Sequence, residues 1–300
     1  MPEAKVNGIT IYYEDHGPQD GKPIVLISGV GTQMTRYPAP FVEKLQARGY
    51  RVIRLDNRDI GLSQKFTEAG IPDFKAATAA KKAGTKADLP YQLSDMAGDV
   101  AGLLDHLGIP AAHIVGSSMG GMIAQLVAIE HPEKTLSLTS IMSNTGNPDL
   151  PGGTPEAMAA LTTPKPDPAK DFDGFVAASM NTARVIGSPS WPLPDDVIRA
   201  NIVSDYERSF HPTGFSRQYG AILGTYDRRP HLQKLDVPTV VIHGVQDPLV
   251  PVAGGRDTAE NTPGAELVEI DGMGHNIPPQ IFDRVIDAIE LAALKAPAPA

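Results

Sequence analysis

Apolar positions alternate between two rhythms over the first half of the chain. The opening stretch KVNGITIYYEDHG places apolar and polar residues in turn on either side of Asn7 and Gly8. That dipeptide suits the positive φ angles of a tight hairpin turn, so two antiparallel strands are expected here. Short aliphatic runs then alternate with stretches of helical period: PIVLIS, FVEKLQARGY, RVIRLD, LSDMAGDVAGLLDHLG, AHIVG, MIAQLVAIE and LSLTSIM. Strands joined through helices make a parallel sheet covered on both faces, because each crossover must pass over the sheet.

From about Thr145 this alternation stops. Pro148, Pro151, Pro155, Pro164, Pro166, Pro168, Pro189, Pro192, Pro194, Pro212 and Pro230 interrupt a stretch without any buried-strand pattern. Proline fixes φ and removes a donor, so central strands are ruled out there, while short helices are expected at DFDGFVAASMNTARVI and PDDVIRANIVSDYERSF. The strand and helix rhythm resumes with TVVIHG, a helix around VAGGRDTAENT, the strand AELVEI and a last helix PQIFDRVIDAIELAAL. The expected organisation is a core over residues 1–144 and 231–294, an inserted helical cap over 145–230, and a frayed low-complexity tail at 295–300.

Composition narrows the function. The chain of 300 residues is 41% hydrophobic and carries a formal net charge of −9, which disfavours a nucleic-acid surface. The adjacent Lys81 and Lys82 read as a solvated loop. With no cysteine, disulfide and thiolate chemistry are excluded. The N-terminus lacks a basic segment followed by an apolar one, and no apolar run reaches the roughly 20 residues of a membrane span, so a cytoplasmic protein without a membrane partner is expected. His16, His106, His113, His131, His211, His231 and His243 show no metal-ligand spacing, and no phosphate-cradling glycine pattern is present, so neither metal nor cofactor is expected.

Candidate chemistry begins in HIVGSSMGGMIAQ, where glycines and serines crowd the junction of a strand and a helix. GSSMG, Gly116 to Gly120, fits the GxSxG elbow, in which a nucleophile perches on a sharp turn with small residues two before and two after it. Centring on Ser118 puts Gly116 and Gly120 at those places; centring on Ser117 would put Val115 and Met119 there. A serine nucleophile needs a base and the base an orienting carboxylate. Asp247, just past TVVIHG, and His275, just past AELVEI, supply them in the order serine, acid, histidine at the ends of successive strands. Taken singly, Asp247 also reads as a turn residue before Pro248, and His275 as a loop residue.

These three stretches, in this order, resemble the α/β-hydrolase superfamily over nearly the whole chain apart from the insertion and tail. RVIRLDNRDIGLS, Arg51 to Ser63, is similar to the family segment after its fourth strand and reads as support for the active-site floor. The resemblance implies a mostly parallel eight-stranded α/β sheet and an oxyanion hole built from the backbone N–H groups of Met119 and Val30. LISGVGTQ departs from the common form, with Ser28 before Gly29 where the family has histidine. Among subfamilies, Ser28-Gly29, DNRDIGLS and GSSMGG look most similar to the aclacinomycin methylesterase type of small-molecule esterases.

The expected activity is hydrolysis of small apolar carboxylic esters by Ser118, His275 and Asp247, with no cofactor. The same triad also serves perhydrolysis and carbon–carbon bond hydrolysis, and a hydrolase-like ligand receptor with slow turnover is a reading of another class. Met34 and Met142 are candidate pocket walls. Trp191, Tyr206, Phe210, Phe215 and Tyr219 either line the pocket, with Trp191 and Tyr219 foremost, or form the insertion's own small core.

Overall fold

The structure, a computed structural model, describes residues 2–296. Its strands are β1 (Glu3–Val6), β2 (Ile9–His16), β3 (Lys22–Ile27), β4 (Tyr50–Leu55), β5 (Ala112–Ser117), β6 (Thr135–Ile141), β7 (Thr239–Gly244) and β8 (Glu266–Ile270). They form one eight-stranded sheet in the order β1-β2-β4-β3-β5-β6-β7-β8. Asn7 at φ 48° and Gly8 at φ 78° make the expected turn between antiparallel β1 and β2. β2 also runs antiparallel to β4, and every other neighbouring pair is parallel.

The helices are α1 (Ala39–Ala47), α2 (Phe74–Lys82), α3 (Leu93–His106), α4 (Met119–Glu130), α5 (Pro155–Thr162), α6 (Phe172–Ile186), α7 (Asp195–Arg208), α8 (Pro212–Gly224), α9 (Arg229–Leu232), α10 (Ala253–Glu260) and α11 (Phe282–Ala293). The period of two in a strand splits β3 between two cores. Val25 and Ile27 pack with Val100 and Leu104 of α3 and Ile123 and Leu126 of α4. Ile24 and Leu26 pack with Phe41 and Leu45 of α1 and Val285 and Ile289 of α11. Residues Met119 through Ala128 of α4 are all buried, which is why that helix is apolar around most of its circumference.

Between β6 and β7 lie α5 to α9, with α6 and α7 at the two stretches where the sequence predicts helices. Val176, Ile198 and Ile202 form a small cluster there with Phe172 and Phe175 against it. The helices α5 and α8 escaped the sequence reading because Pro155 and Pro212 looked like interruptions. Both prolines sit in the first helical turn, where the missing N–H has no intrahelical partner to lose.

Lys81 and Lys82 require a correction: they occupy the last turn of α2, not a loop. The Asp73 side chain caps that helix by accepting from the Lys75 and Ala76 N–H groups, and cations at its far end suit the helix dipole. Of the tail, residues 297–300 lie outside the described residues, and the Lys295 N–H still bonds the Ala292 carbonyl. Among the described residues no helix is long and apolar enough to cross a membrane.

His113 of β5 is expected to make the fold sensitive to acid. It is buried with Nδ1 2.9 Å from Ser137 Oγ, and burial, aided by Lys22, pushes its pKa down from 6.5 to about 4. Because the folded pKa is depressed, the neutral ring contributes stability above the unfolded value, and that stability is lost as pH falls toward 4. The difference corresponds to roughly 3 kcal/mol. Urea unfolding at pH 7 and pH 4.5 should show this loss in the wild type and a clearly smaller one in His113→Gln. Equal losses would place the acid sensitivity elsewhere.

Candidate active site

Ser118 follows the last residue of β5 and precedes the first of α4, at φ 58° and ψ −122°. A side chain rarely tolerates that backbone, and holding it there costs on the order of 1–3 kcal/mol. The neighbours show why small residues are required. A Cβ at Gly116 would come 1.9 Å from the Gly120 carbonyl oxygen, and one at Gly120 would come 2.1 Å from that of Ile27. The turn is tied down at both ends: the Ser118 N–H donates to the Ile141 carbonyl at 2.9 Å, and Ser143 Oγ donates to the Ser118 carbonyl at 2.8 Å.

The three residues singled out by sequence converge at the carboxyl ends of β5, β7 and β8. His275 Nε2 lies 3.0 Å from Ser118 Oγ, and His275 Nδ1 lies 2.7 Å from Asp247 Oδ2. A carboxylate only accepts, so Nδ1 donates to Asp247 and Nε2 is left to accept the serine proton. Asp247 Oδ1 accepts from the Leu249 and Val250 N–H groups, each at 2.9 Å, which fixes the carboxylate's second oxygen. Beneath it, His243 Nε2 donates to the Val250 carbonyl at 2.8 Å. Burial holds His243 below the usual imidazole range, and the ring serves as a neutral tie across the Asp247 loop.

The loop after β3 passes directly over the elbow. A side chain at Gly29 would start 3.2 Å from Ser118 Cβ. Val30 comes next, and among the described residues neither its N–H nor that of Met119 has a protein acceptor. Two free backbone donors flanking a serine hydroxyl can hold an oxyanion. Ser28 is fully buried; its carbonyl accepts from Asn57 Nδ2 at 3.0 Å, while its Oγ has no partner among the described residues.

The DNRDIGLS segment lies beneath this loop. Asp56 accepts from the Met34 N–H at 2.8 Å and the Leu62 N–H at 2.9 Å, and a side chain at Gly61 would strike its carboxylate. Asp59, held at φ 73°, receives Arg217 of α8 through two bonds of 2.7 and 2.9 Å. Arg58 pairs with buried Asp99 of α3.

The pocket candidates fare unevenly. Met34 is fully buried beside the loop after β3, and Met142, just past β6, is buried in the core with Ile141 and Met273. Trp191 packs half-buried against that same core. Tyr219 stacks on Phe215 and meets Phe74 edge-on, so it faces α2. Phe215 takes the place beside the loop instead, its ring 2.7 Å from where a side chain on Gly31 would begin. Tyr206 and Phe210 pack with Phe172 and Phe175 in the insertion's own aromatic cluster.

Several participants carried no sequence signal. The His275 N–H donates to the Ile186 carbonyl at 2.7 Å and the Gly274 N–H to Ser188 Oγ at 3.0 Å, so the end of α6 holds the histidine loop. Gln218 of α8 bonds the Gly31 N–H at 2.8 Å. Ile186, Ser188 and Gln218 belong to no recognisable spacing; all three act through contacts distant in sequence.

Known proteins agree with this architecture. The chain is 28% identical over 300 residues to rhodomycin D methylesterase DauP of Streptomyces sp. (strain C5), with 94% of each covered. It is 29% identical over 273 residues to a 2-hydroxy-6-oxononadienedioate/2-hydroxy-6-oxononatrienedioate hydrolase of Paraburkholderia xenovorans (strain LB400), covering 89% of this chain and 84% of that one. Among solved structures it is similar to an N-acyl homoserine lactone degrading enzyme, with 26% identity, a TM-score of 0.70, and coverage of 98% of this chain and 100% of that one. The profile of the α/β hydrolase fold matches residues 22–280, from the start of β3 past the His275 loop, and the chain belongs to that family.

Proposed function

We propose that the protein is a serine-dependent hydrolase of carboxylic esters of small apolar molecules. The observation that carries this reading is the unbroken hydrogen-bonded line from Ser118 Oγ through His275 to Asp247. His275 Nε2 takes the hydroxyl proton as Ser118 Oγ bonds to the ester carbonyl carbon, and the Val30 and Met119 N–H groups receive the charge that develops on oxygen. Collapse of the tetrahedral adduct breaks the bond to the alkoxy oxygen, which leaves as alcohol with the proton from His275. Water then loses a proton to His275 and attacks the acyl carbon; the second adduct breaks its bond to Oγ, which takes the proton back from His275, and the acid is released with Ser118 restored.

Asp247 orients the ring and stabilises its cation in both halves. Residues 145–230 act as a cap, covering the acyl-enzyme and choosing the substrate by the shape they leave above Ser118. The similarity to a methylesterase at 28% identity supports an ester as substrate.

Initial rates on p-nitrophenyl esters from acetate to long acyl chains, with Ser118→Ala as the blank, test this. Serine-dependent hydrolysis with an optimum at one chain length is expected; rates equal to the blank throughout would overturn it. A second reading, carbon–carbon bond hydrolysis, is favoured by the similarity to the dienedioate hydrolase. Faster turnover of a vinylogous 1,5-diketone acid than of any ester, with cleavage products identified, would select that reaction.

A further inference from the structure

We propose that Gln218, on α8 of the cap, is a positioning residue for the oxyanion loop, so that the Val30 N–H is aimed at the reacting carbonyl only while the cap is seated. This rests on the ester-hydrolase reading above. Thr32 closes the loop over Gly29, its N–H and Oγ1 both donating to the Gly29 carbonyl at 3.3 and 2.9 Å. Gly31 has φ +66° and Val30 is not among the residues of positive φ, the φ signs of a type II turn over residues 29–32. The type I alternative differs by a flip of the central peptide, the one joining Val30 to Gly31.

Gln218 decides between the two. It is fully buried, its Oε1 accepts from the Gly31 N–H at 2.8 Å, and its Nε2 donates to the Arg58 carbonyl at 2.8 Å. The Arg58 carbonyl can only accept, so the amide end facing it must be the NH2 group and the oxygen must face Gly31. A flipped turn would set the Val30 carbonyl against Gln218 Oε1, two buried acceptors face to face, which is unfavourable.

Gln218 therefore selects the type II form. The Val30 N–H belongs to the preceding Gly29–Val30 peptide, whose carbonyl Thr32 holds; by fixing the next peptide, Gln218 restrains the Val30 Cα that joins the two planes, and with it the rotation that would turn the donor away. The same helix seats itself through Arg217 on Asp59 and Phe215 on Gly31, so lifting α8 removes the brace.

The test is Gln218→Met, which keeps length and burial and loses both hydrogen bonds. On a p-nitrophenyl ester that the wild type hydrolyses, kcat should fall about ten- to a hundred-fold with KM little changed. Affinity for a trifluoromethyl ketone, whose serine adduct places an oxyanion in the hole, should fall by the same factor.

Gln218→Glu is the second variant. Its carboxylate opposes the Arg58 carbonyl at neutral pH, and its protonated form restores both bonds, so its kcat relative to wild type should rise as pH is lowered. A wild-type kcat in Gln218→Met, or losses in both variants that vanish once rates are scaled to the folded fraction, would overturn the role of Gln218 alone. Absence of Ser118-dependent turnover in the wild type would instead overturn the ester-hydrolase reading, and the oxyanion role with it.

Discussion

Replacing Ser118 with alanine is expected to lower kcat by about four to six orders of magnitude while leaving KM and the fold nearly unchanged. Without Oγ no acyl-enzyme forms, and what remains is water attacking the bound ester with help from His275 and the backbone donors of Val30 and Met119. Folding should survive because the elbow is held by backbone bonds: the Ser118 N–H to Ile141 and the Ser118 carbonyl to Ser143. A fluorophosphonate should label the wild type once per chain and leave Ser118→Ala unlabelled. If the variant kept a tenth of the wild-type rate, the nucleophile would lie elsewhere, and the adjacent Ser117 would be the first residue to replace.

Replacing Arg217 with methionine should destabilise the protein by about 3–5 kcal/mol, because it leaves a buried carboxylate without its cation. Arg217 and Asp59 are both fully buried, and the pair joins α8 to the loop after β4. Burial alone would raise the Asp59 carboxyl; Arg217, the Phe66 N–H and the Tyr91 hydroxyl outweigh it and hold the group below the usual carboxylate range. Removing Arg217 lets burial prevail, so the carboxyl protonates more readily.

The wild-type pair contributes stability above the unfolded carboxylate pKa and loses it as pH falls through the lower folded value. The variant gains from protonation, so the gap between the two should narrow in acid. Urea unfolding at pH 7 and pH 4.5 checks this. Adding Asp59→Asn should recover much of the loss, since asparagine tolerates the φ of 73° and carries no charge. A single variant within 1 kcal/mol of wild type would mean that apolar packing, and not this pair, seats α8.

Much of the core was legible because its signals are local. The Asn7-Gly8 turn follows from which residues accept positive φ, and the alternation of strand and helix follows from periods of two and 3.6. Gly116 and Gly120 mark the elbow because any larger side chain would strike backbone there. The insertion was harder to read. Proline is ambiguous between breaking a helix and starting one, which hides α5 and α8, and FKAATAAKK has few apolar positions to show that Lys81 and Lys82 end a helix.

By itself the sequence determined the sheet's strand content, the elbow at Ser118, and the order in which Ser118, Asp247 and His275 follow the strands. Each of these is imposed by steric limits or periodicity within a few neighbouring residues. Only the tertiary structure decided that His275 stands 3.0 Å from Ser118 across a separation of 157 residues, and that Gln218 reaches the Gly31 N–H across 187. It also decided that Phe215, not Tyr219, meets the loop after β3 at Gly31. Such pairings depend on how helices of the insertion land on the ends of the sheet, and a contact between distant residues imposes no period or spacing on the chain that makes it.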